Sequence, residues 1–574
     1  MTDKKVDSNL EYLKKLFIMP DSPDKFIEFG HQLLEILHHL FQERGGIHSS
    51  ITLPQLSMIF DQTAIPNNPK LIKDVLIEIK DKIIHHSVKV GSPYYIGHMT
   101  SAIPYFMILL EMIIAALNQN QVKIETAKAS SFVEREFLAW LHRLIFQRTD
   151  RFYERNVQNH RIALGNITSD GTIGNMTALL VAREKAFPPK GGFPGCRIAG
   201  FDKALKFYGY KRAVVIVSAR GHYSIKKAAN LLGIGEENVL SIPVDLCNRI
   251  DIDALKETLK DIESREIDER TKVIAIVGIA GTTETGNIDN LDALEQISRD
   301  VDAYYHIDAC WGGSALLVEE YRTLFKGIER ADSVSVDAHK LLYCPMSMGI
   351  VLFRSEKDLN YIRHSSQYVI RRNSVDMGRF TVEGSRSFAC LKAWAALKII
   401  GRQGYSLLFG HARNSTEYFK QILDNSGDFE TFSQPELFIL AYRFIPNAAR
   451  EKLIEWCKIS AHSSKEKSKE AKQNIRKINH LINGLNIKLH KALRMDDTTF
   501  VSRTILESTQ YRPNKIVVLR AVLINPLTSE HILDEILEIQ KRIGLQIWQG
   551  FEPAYQKILE KLVNEKRIKA TREI

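Results

Sequence analysis

The sequence has little with which to build disulfides or metal sites. Six cysteines (Cys196, Cys247, Cys310, Cys344, Cys390 and Cys457) are scattered over 574 residues without one C-x-x-C pair. That spacing argues against a disulfide framework and a structural zinc site, so no metal is expected, and it fits a reducing compartment. Long apolar runs are missing as well. The greasiest stretch, Pro104 to Leu117, is interrupted by Glu111 and is too short for a bilayer span, so it reads as a buried helix and no membrane partner is expected. The opening MTDKKVDSNLEYLKKLF is charged and helical in pattern, with no apolar core or small-residue cleavage site of a secretory signal. A cytoplasmic location is the expectation. No basic module interleaved with aromatics is present. The formal net charge of +10, spread over so long a chain, therefore reads as a mildly basic surface suited to anionic small molecules rather than to nucleic acid.

What is present is an ordinary globular composition, 44% hydrophobic and 25% charged, on a chain long enough for two or three packed domains. Residues 1–90 carry apolar positions at helical spacing, as in FIEFGHQLLEILHHLF, and form a helical N-terminal segment. From 91 to 410, short β-branched runs alternate with helical stretches. Strands are expected at Ala213–Ser218, Val273–Ile279, Ala303–Ile307, Ser333–Val336 and Gly349–Phe353. Such alternation implies an α/β fold with a mainly parallel sheet, whose ligands lie at the carboxyl ends of the strands. Residues 411–574 suggest a small α+β C-terminal domain. It contains a strand within KIVVLRAVLINP and a charge-dense insertion or solvated helix around 463–477.

The residues that carry chemistry lie in YYHIDACWGGSALL and SVSVDAHKLLYCPMSMGIVLF. Asp308 ends one apolar run, and Lys340 follows another, 32 positions later. Both would point into one crevice. Pyridoxal 5′-phosphate (PLP) chemistry needs such a pair: an amine to form a Schiff base with the cofactor aldehyde, and a carboxylate to keep the pyridine nitrogen protonated. Taken singly, a surface lysine and a helix-capping aspartate are the commoner explanations; the apolar flanks, the adjoining His339 and the glycine pair after Trp311 favour chemistry. A second signal is GNITSDGTIGNMTALLVARE, where Gly171 and Gly174 bracket Thr172 and Ile173 at a helix start. Open amides there would hold a phosphate, although many strand–helix turns look alike. A third is His222 in ARGHYSIKK, which could stack on a pyridine ring or merely cap a helix. In GIAGTTETGNID, Thr282 and Thr283 offer hydroxyls to the cofactor's phenolic oxygen.

This order of a glycine-rich turn, HYS, GTT, HIDACWGG and DAHK resembles the group II PLP-dependent amino acid decarboxylases of fold type I. The similarity is greatest to aspartate 1-decarboxylases and glutamate decarboxylases. YYIGHMTSAIPYFM, NQNQVKIETAKASSFVERE and TVEGSRSFACLKAWAALKIIGRQGY support it, over about 91–405 and again at 515–526. The resemblance implies Lys340 as Schiff-base lysine, Asp308 as pyridinium partner and His222 as the ring-stacking histidine. It places Ile173 and Gly174 near the phosphate, and Thr100 and Thr283 at cofactor or substrate. Tyr368 would return a proton to the substrate carbon, and Arg520 would bind a substrate carboxylate. Two positions depart from the pattern. Asp337 stands where asparagine is frequent, facing the cofactor phosphate with a like charge, and Cys310 stands where alanine is usual. The implied reaction is α-decarboxylation of a small acidic amino acid by a homodimer with its sites at the interface. L-Aspartate going to β-alanine is favoured, with L-glutamate going to γ-aminobutyrate as the alternative; cysteine sulfinate and aromatic amino acids rank lower. Another fold type I enzyme, such as a desulfurase or aminotransferase, or a non-catalytic PLP-binding protein would share Lys340 and Asp308.

Overall fold

The computed structural model describes residues 10, 13–18, 20, 23–43, 46–366, 370–371 and 374–560. Two compact units emerge, one formed by Met1–Gly91 with Met495–Thr499, the other by Ser92–Arg494 with Phe500–Ile574. In the first unit, helix Phe26–Gln42 is amphipathic, yet none of its residues is buried. Helix Leu53–Ile59 starts at Thr52, whose hydroxyl accepts from the Gln55 amide while the Gln55 side chain accepts from the Thr52 amide. Helix Ile72–Glu78 runs on into a wider-pitched turn at Ile79–Ile84.

The second unit is built on a seven-stranded sheet. Its strands are β1 (Gly165–Thr168), β2 (Arg212–Ser218), β3 (Val239–Ile242), β4 (Thr271–Ile279), β5 (Tyr304–Asp308), β6 (Ser333–Asp337) and β7 (Gly349–Phe353), in the order β1-β7-β6-β5-β4-β2-β3. All neighbours from β6 to β3 run parallel, and only β7 is antiparallel to both its partners. The runs RAVVIVS and TKVIAIVGI are buried almost throughout because helices cover both faces of the sheet. The expected mainly parallel α/β fold is thus present. Sequence periodicity located five strands to within two residues at each end, but not the four-residue β1 and β3.

A second, antiparallel sheet comprises β8 (Phe429–Thr431), β9 (Ile439–Phe444), β10 (Ser502–Leu506) and β11 (Ile516–Val522), in the order β10-β11-β9-β8. Its core includes Ala471, Ile475, Ile478, Ile482, Leu485 and Leu489 from helix Lys465–Asp496. The charge-dense stretch around 463–477 is therefore largely the start of this long helix, with its sparse apolar residues placed on one packed stripe.

Helix Tyr105–Leu117 corrects an expectation. It forms, but within the chain it buries only Met107 and Ile114, leaving Tyr105 77% and Ile113 48% exposed. An apolar helix pattern specifies a dry neighbour without saying whether the same chain supplies it. Among the described residues no helix is long and apolar enough to cross a membrane, and all six cysteines are free.

Candidate active site

The parallel strands deliver their last residues to one edge of the sheet. Asp308 ends β5 and is buried. Its Oδ2 accepts from Asn175 Nδ2 at 2.9 Å and its Oδ1 from the Cys310 amide at 3.1 Å. Burial alone would raise its pKa, but the positive charge of Lys340, with the neighbouring histidines and the Cys310 amide, outweighs that and holds the carboxyl below its ordinary range. It is an anion kept ionised in a dry place.

Asn175 is the residue sequence reasoning missed. It lies on helix Gly171–Ala186, fully buried, and gives its second amide hydrogen to Ser224 Oγ at 3.0 Å. Its carbonyl oxygen lies 3.0 Å from His306 Nε2, and His306 Nδ1 lies 2.8 Å from Ser333 Oγ. Burial lowers the His306 pKa to about 4, so the ring is neutral. Both Asn175 hydrogens are committed elsewhere, so the ring proton sits on Nε2 and Ser333 donates to Nδ1. This chain of bonds fixes the orientation of the Asp308 carboxylate. No local pattern marks an asparagine inside a helix for such a role.

Lys340 follows β6 in the turn that leads to β7. Its Nζ lies 2.9 Å from Asp337 Oδ2. Burial would lower its pKa, but Asp337 and Asp308 overcome that and hold the ammonium above its ordinary value. His339 is buried in the same turn, its Nδ1 3.0 Å from the Met348 carbonyl and its Nε2 3.7 Å from Asp337. Gly171, the first residue of helix Gly171–Ala186, is required here. A Cβ would come within 2.3 Å of Cys310 Sγ and 2.9 Å of both Asp337 oxygens. A Cβ at Gly174 would lie 3.2 Å from Ser335 Oγ, where the helix crosses β6.

The helix start is less open than expected. Asp170 takes the Ile173 amide on its side chain at 3.0 Å and the Gly174 amide on its carbonyl at 3.1 Å. An anion at this end would therefore meet the amides of Gly171 and Thr172. Thr282 departs further from expectation. It is wholly buried, its hydroxyl lies 2.9 Å from Thr285 Oγ1, and it accepts from the Asn287 amide, so it is spent on the turn itself. Thr283 lines a cleft of about 370 Å³ together with Ser218, His222, Tyr223 and Glu284. His222 is half-buried at this cleft, with its Nδ1 accepting from the Ser224 amide at 3.3 Å.

Arg520 sits in the middle of β11 and is buried. Its Nη1 donates to the Gly97 carbonyl at 3.3 Å and to Ser502 Oγ at 3.1 Å, whereas Nε and Nη2 have no partner. Burial lowers its pKa to about 10 against the opposing pull of Glu284. A buried guanidinium with two unused donors is costly unless an acceptor arrives, at about 1–3 kcal/mol for each unsatisfied group. His98 is another residue the sequence reading passed over, although it stands inside one of the quoted motifs. Its Nδ1 is 3.0 Å from Thr100 Oγ1. Its pKa is drawn down by partial burial and by the charges of Arg520, Lys340 and His339, which links the arginine and lysine environments. Tyr368 lies outside the described residues.

These residues fit PLP: an ionised buried carboxylate for a ring nitrogen, a lysine within its field, and a glycine-led helix start for a phosphate. Comparison with known proteins agrees. Residues 54–445 match the model of the pyridoxal-dependent decarboxylase conserved domain. An aspartate 1-decarboxylase from Aliivibrio fischeri is 38% identical over 545 residues, spanning 95% of this chain and 96% of that one. Cysteine sulfinic acid decarboxylase from Mus musculus is 28% identical over 66% of this chain and 73% of its own length. Two solved structures share the fold. The glutamate decarboxylase domain of a diaminobutyrate-pyruvate transaminase and L-2,4-diaminobutyrate decarboxylase from Vibrio parahaemolyticus has a TM-score of 0.73 at 20% identity, covering 94% of this chain and 99% of that one. Tryptophan decarboxylase from Catharanthus roseus has a TM-score of 0.72 at 19% identity, covering 92% and 100%.

Proposed function

The chain belongs to the pyridoxal-dependent decarboxylase family, and from that premise we propose that it removes the α-carboxylate of L-aspartate, releasing carbon dioxide and β-alanine. It is a PLP-dependent carboxy-lyase acting on an amino acid. When bound, PLP supplies a conjugated, positively charged ring that takes up the electron pair left on Cα as carbon dioxide departs. In this proposal Lys340 would bear the cofactor through its amine. Asp308, oriented by the Asn175 bonds and held ionised chiefly by the charge of Lys340, would keep a proton on the ring nitrogen. His222 would cover one ring face and limit its tilt, and the helix start would receive the phosphate at the amides of Gly171 and Thr172, since Asp170 takes those of Ile173 and Gly174. Thr283 and His339 complete the cofactor's surroundings. Tyr368 returns a proton to Cα.

An acidic substrate is supported by one observation, the buried Arg520 with Nε and Nη2 unengaged, and aspartate in particular by the likeness to the Aliivibrio fischeri aspartate 1-decarboxylase. Those two donors form a fork suited to a carboxylate. A homodimer is part of the proposal. The unburied amphipathic helix Phe26–Gln42 and the exposed apolar face of Tyr105–Leu117 each need cover that a second copy would supply. Six free cysteines suit a reducing cytoplasm.

The deciding experiment is product analysis with aspartate and glutamate in competition. β-Alanine as the dominant product is expected. Dominant γ-aminobutyrate would transfer the assignment to glutamate, since one methylene changes binding by only about 1–3 kcal/mol.

A further inference from the structure

We propose that Asp337 is the proton acceptor that releases the Lys340 amine when the cofactor is captured. The inference rests on the assignment of Lys340 as the cofactor-bearing residue and goes beyond it, because Asp337 has no role in that assignment. The geometry is specific. Asp337 ends β6, is 4% exposed, and places Oδ2 2.9 Å from Lys340 Nζ, while its Oδ1 is buried without a partner. Both oxygens face the start of helix Gly171–Ala186, where only a glycine leaves room for them.

Two requirements collide at this point. An ammonium is not a nucleophile, so Lys340 must lose a proton before Nζ attacks an aldehyde carbon; the C–N bond then forms and the carbonyl oxygen leaves as water. A cofactor phosphate arriving at the helix start would also meet the Asp337 carboxylate as a like charge. Moving one proton from Nζ to Asp337 resolves both. The amine becomes neutral, and the carboxyl becomes an uncharged acid whose hydroxyl faces the incoming anion as a donor. No proton has to leave for solvent. The other titratable groups that face this pair are Asp308, Cys310, His339 and His98, with His222 and His306 facing Asp308 behind them. Of the carboxylates among the described residues, Asp337 is the one in ion-pair contact with Nζ.

The pH profile of cofactor capture tests this. Growth of the bound-cofactor absorbance would be followed after adding PLP to cofactor-free protein between about pH 6.5 and 8.5. Asp337→Asn would be treated alongside the natural sequence, and the ratio of the two rates cancels the cofactor's own titration. The natural protein should give a nearly level profile because its proton stays within the pair. Asp337→Asn should climb by about tenfold per pH unit, because its proton has to reach solvent. Parallel profiles would overturn the proposal. If Asp337→Asn does not fold, the natural protein is compared with the model amine Nα-acetyl-lysine; a profile as steep as the model amine's overturns it equally. Borohydride reduction and peptide mapping distinguish failure at Asp337 from failure at Lys340. A label on Lys340 with parallel profiles removes Asp337 alone, whereas a label on another residue removes the assignment of Lys340 and this inference with it.

Discussion

At the scale of single residues, the electrostatics of the site depend on a few groups with no slack. Arg520 is the clearest. Replacing it by lysine keeps a charge but removes the fork, with the loss of about 1.5–3 kcal/mol per charge-assisted contact and hence about a 10- to 100-fold fall in kcat/KM for aspartate. Steady-state kinetics check this, and an unchanged kcat/KM would detach Arg520 from substrate. His306 supports a pH prediction. Its folded pKa of about 4 lies below the ordinary value near 6.5. In that window the unfolded chain binds more protons than the folded one, so the contribution is intact above about pH 6.5 and is lost as pH falls towards 4. The melting temperature should drop across this interval, and His306→Gln should flatten the drop. An equal slope in both proteins would assign the acid sensitivity to other groups.

At the scale of elements, the start of helix Gly171–Ala186 is the tightest joint, wedged against Cys310 and Asp337. Gly171→Ala should destabilise the fold by about 1–3 kcal/mol through overpacking and weaken cofactor binding. Adding Cys310→Ala, which removes the nearest atom, should recover part of both losses in melting and cofactor titration. No recovery would mean that Asp337 and the strand behind it set the limit. Legibility from sequence divides along the same line. Asp308 and Lys340 stood out because each follows an apolar run, and strand ends are local events. The Asn175–His306–Ser333 chain did not, because those bonds join a helix to two strands far apart in sequence. The amides of Ile173 and Gly174 looked open until Asp170, visible in the same motif, was seen to take both. Strands β1 and β3 are too short for period-two alternation to register.

At the scale of the whole molecule, the exposed apolar surfaces call for a partner. The proposed homodimer should sediment at twice the 65.5 kDa chain mass. Ile113→Asp, on the open face of helix Tyr105–Leu117, should shift that species towards monomer and lower activity with it. A natural protein that sediments at one chain mass would leave these faces to a different partner. The sequence announced this helix correctly but not its exposure within the chain, since hydrophobic periodicity carries no information about what lies opposite.

The return of the chain through β7 constrains Lys340 more than the sheet order alone suggests. The segment bearing the lysine leaves at Asp337 and re-enters at Gly349, and these two residues stand directly opposite each other in the antiparallel register. Both feet of the loop are therefore bolted to the same rung of the ladder. One inserted residue between 341 and 347 would lift the amine off its mark without disturbing any strand, giving a protein that folds normally and reacts poorly with aldehydes.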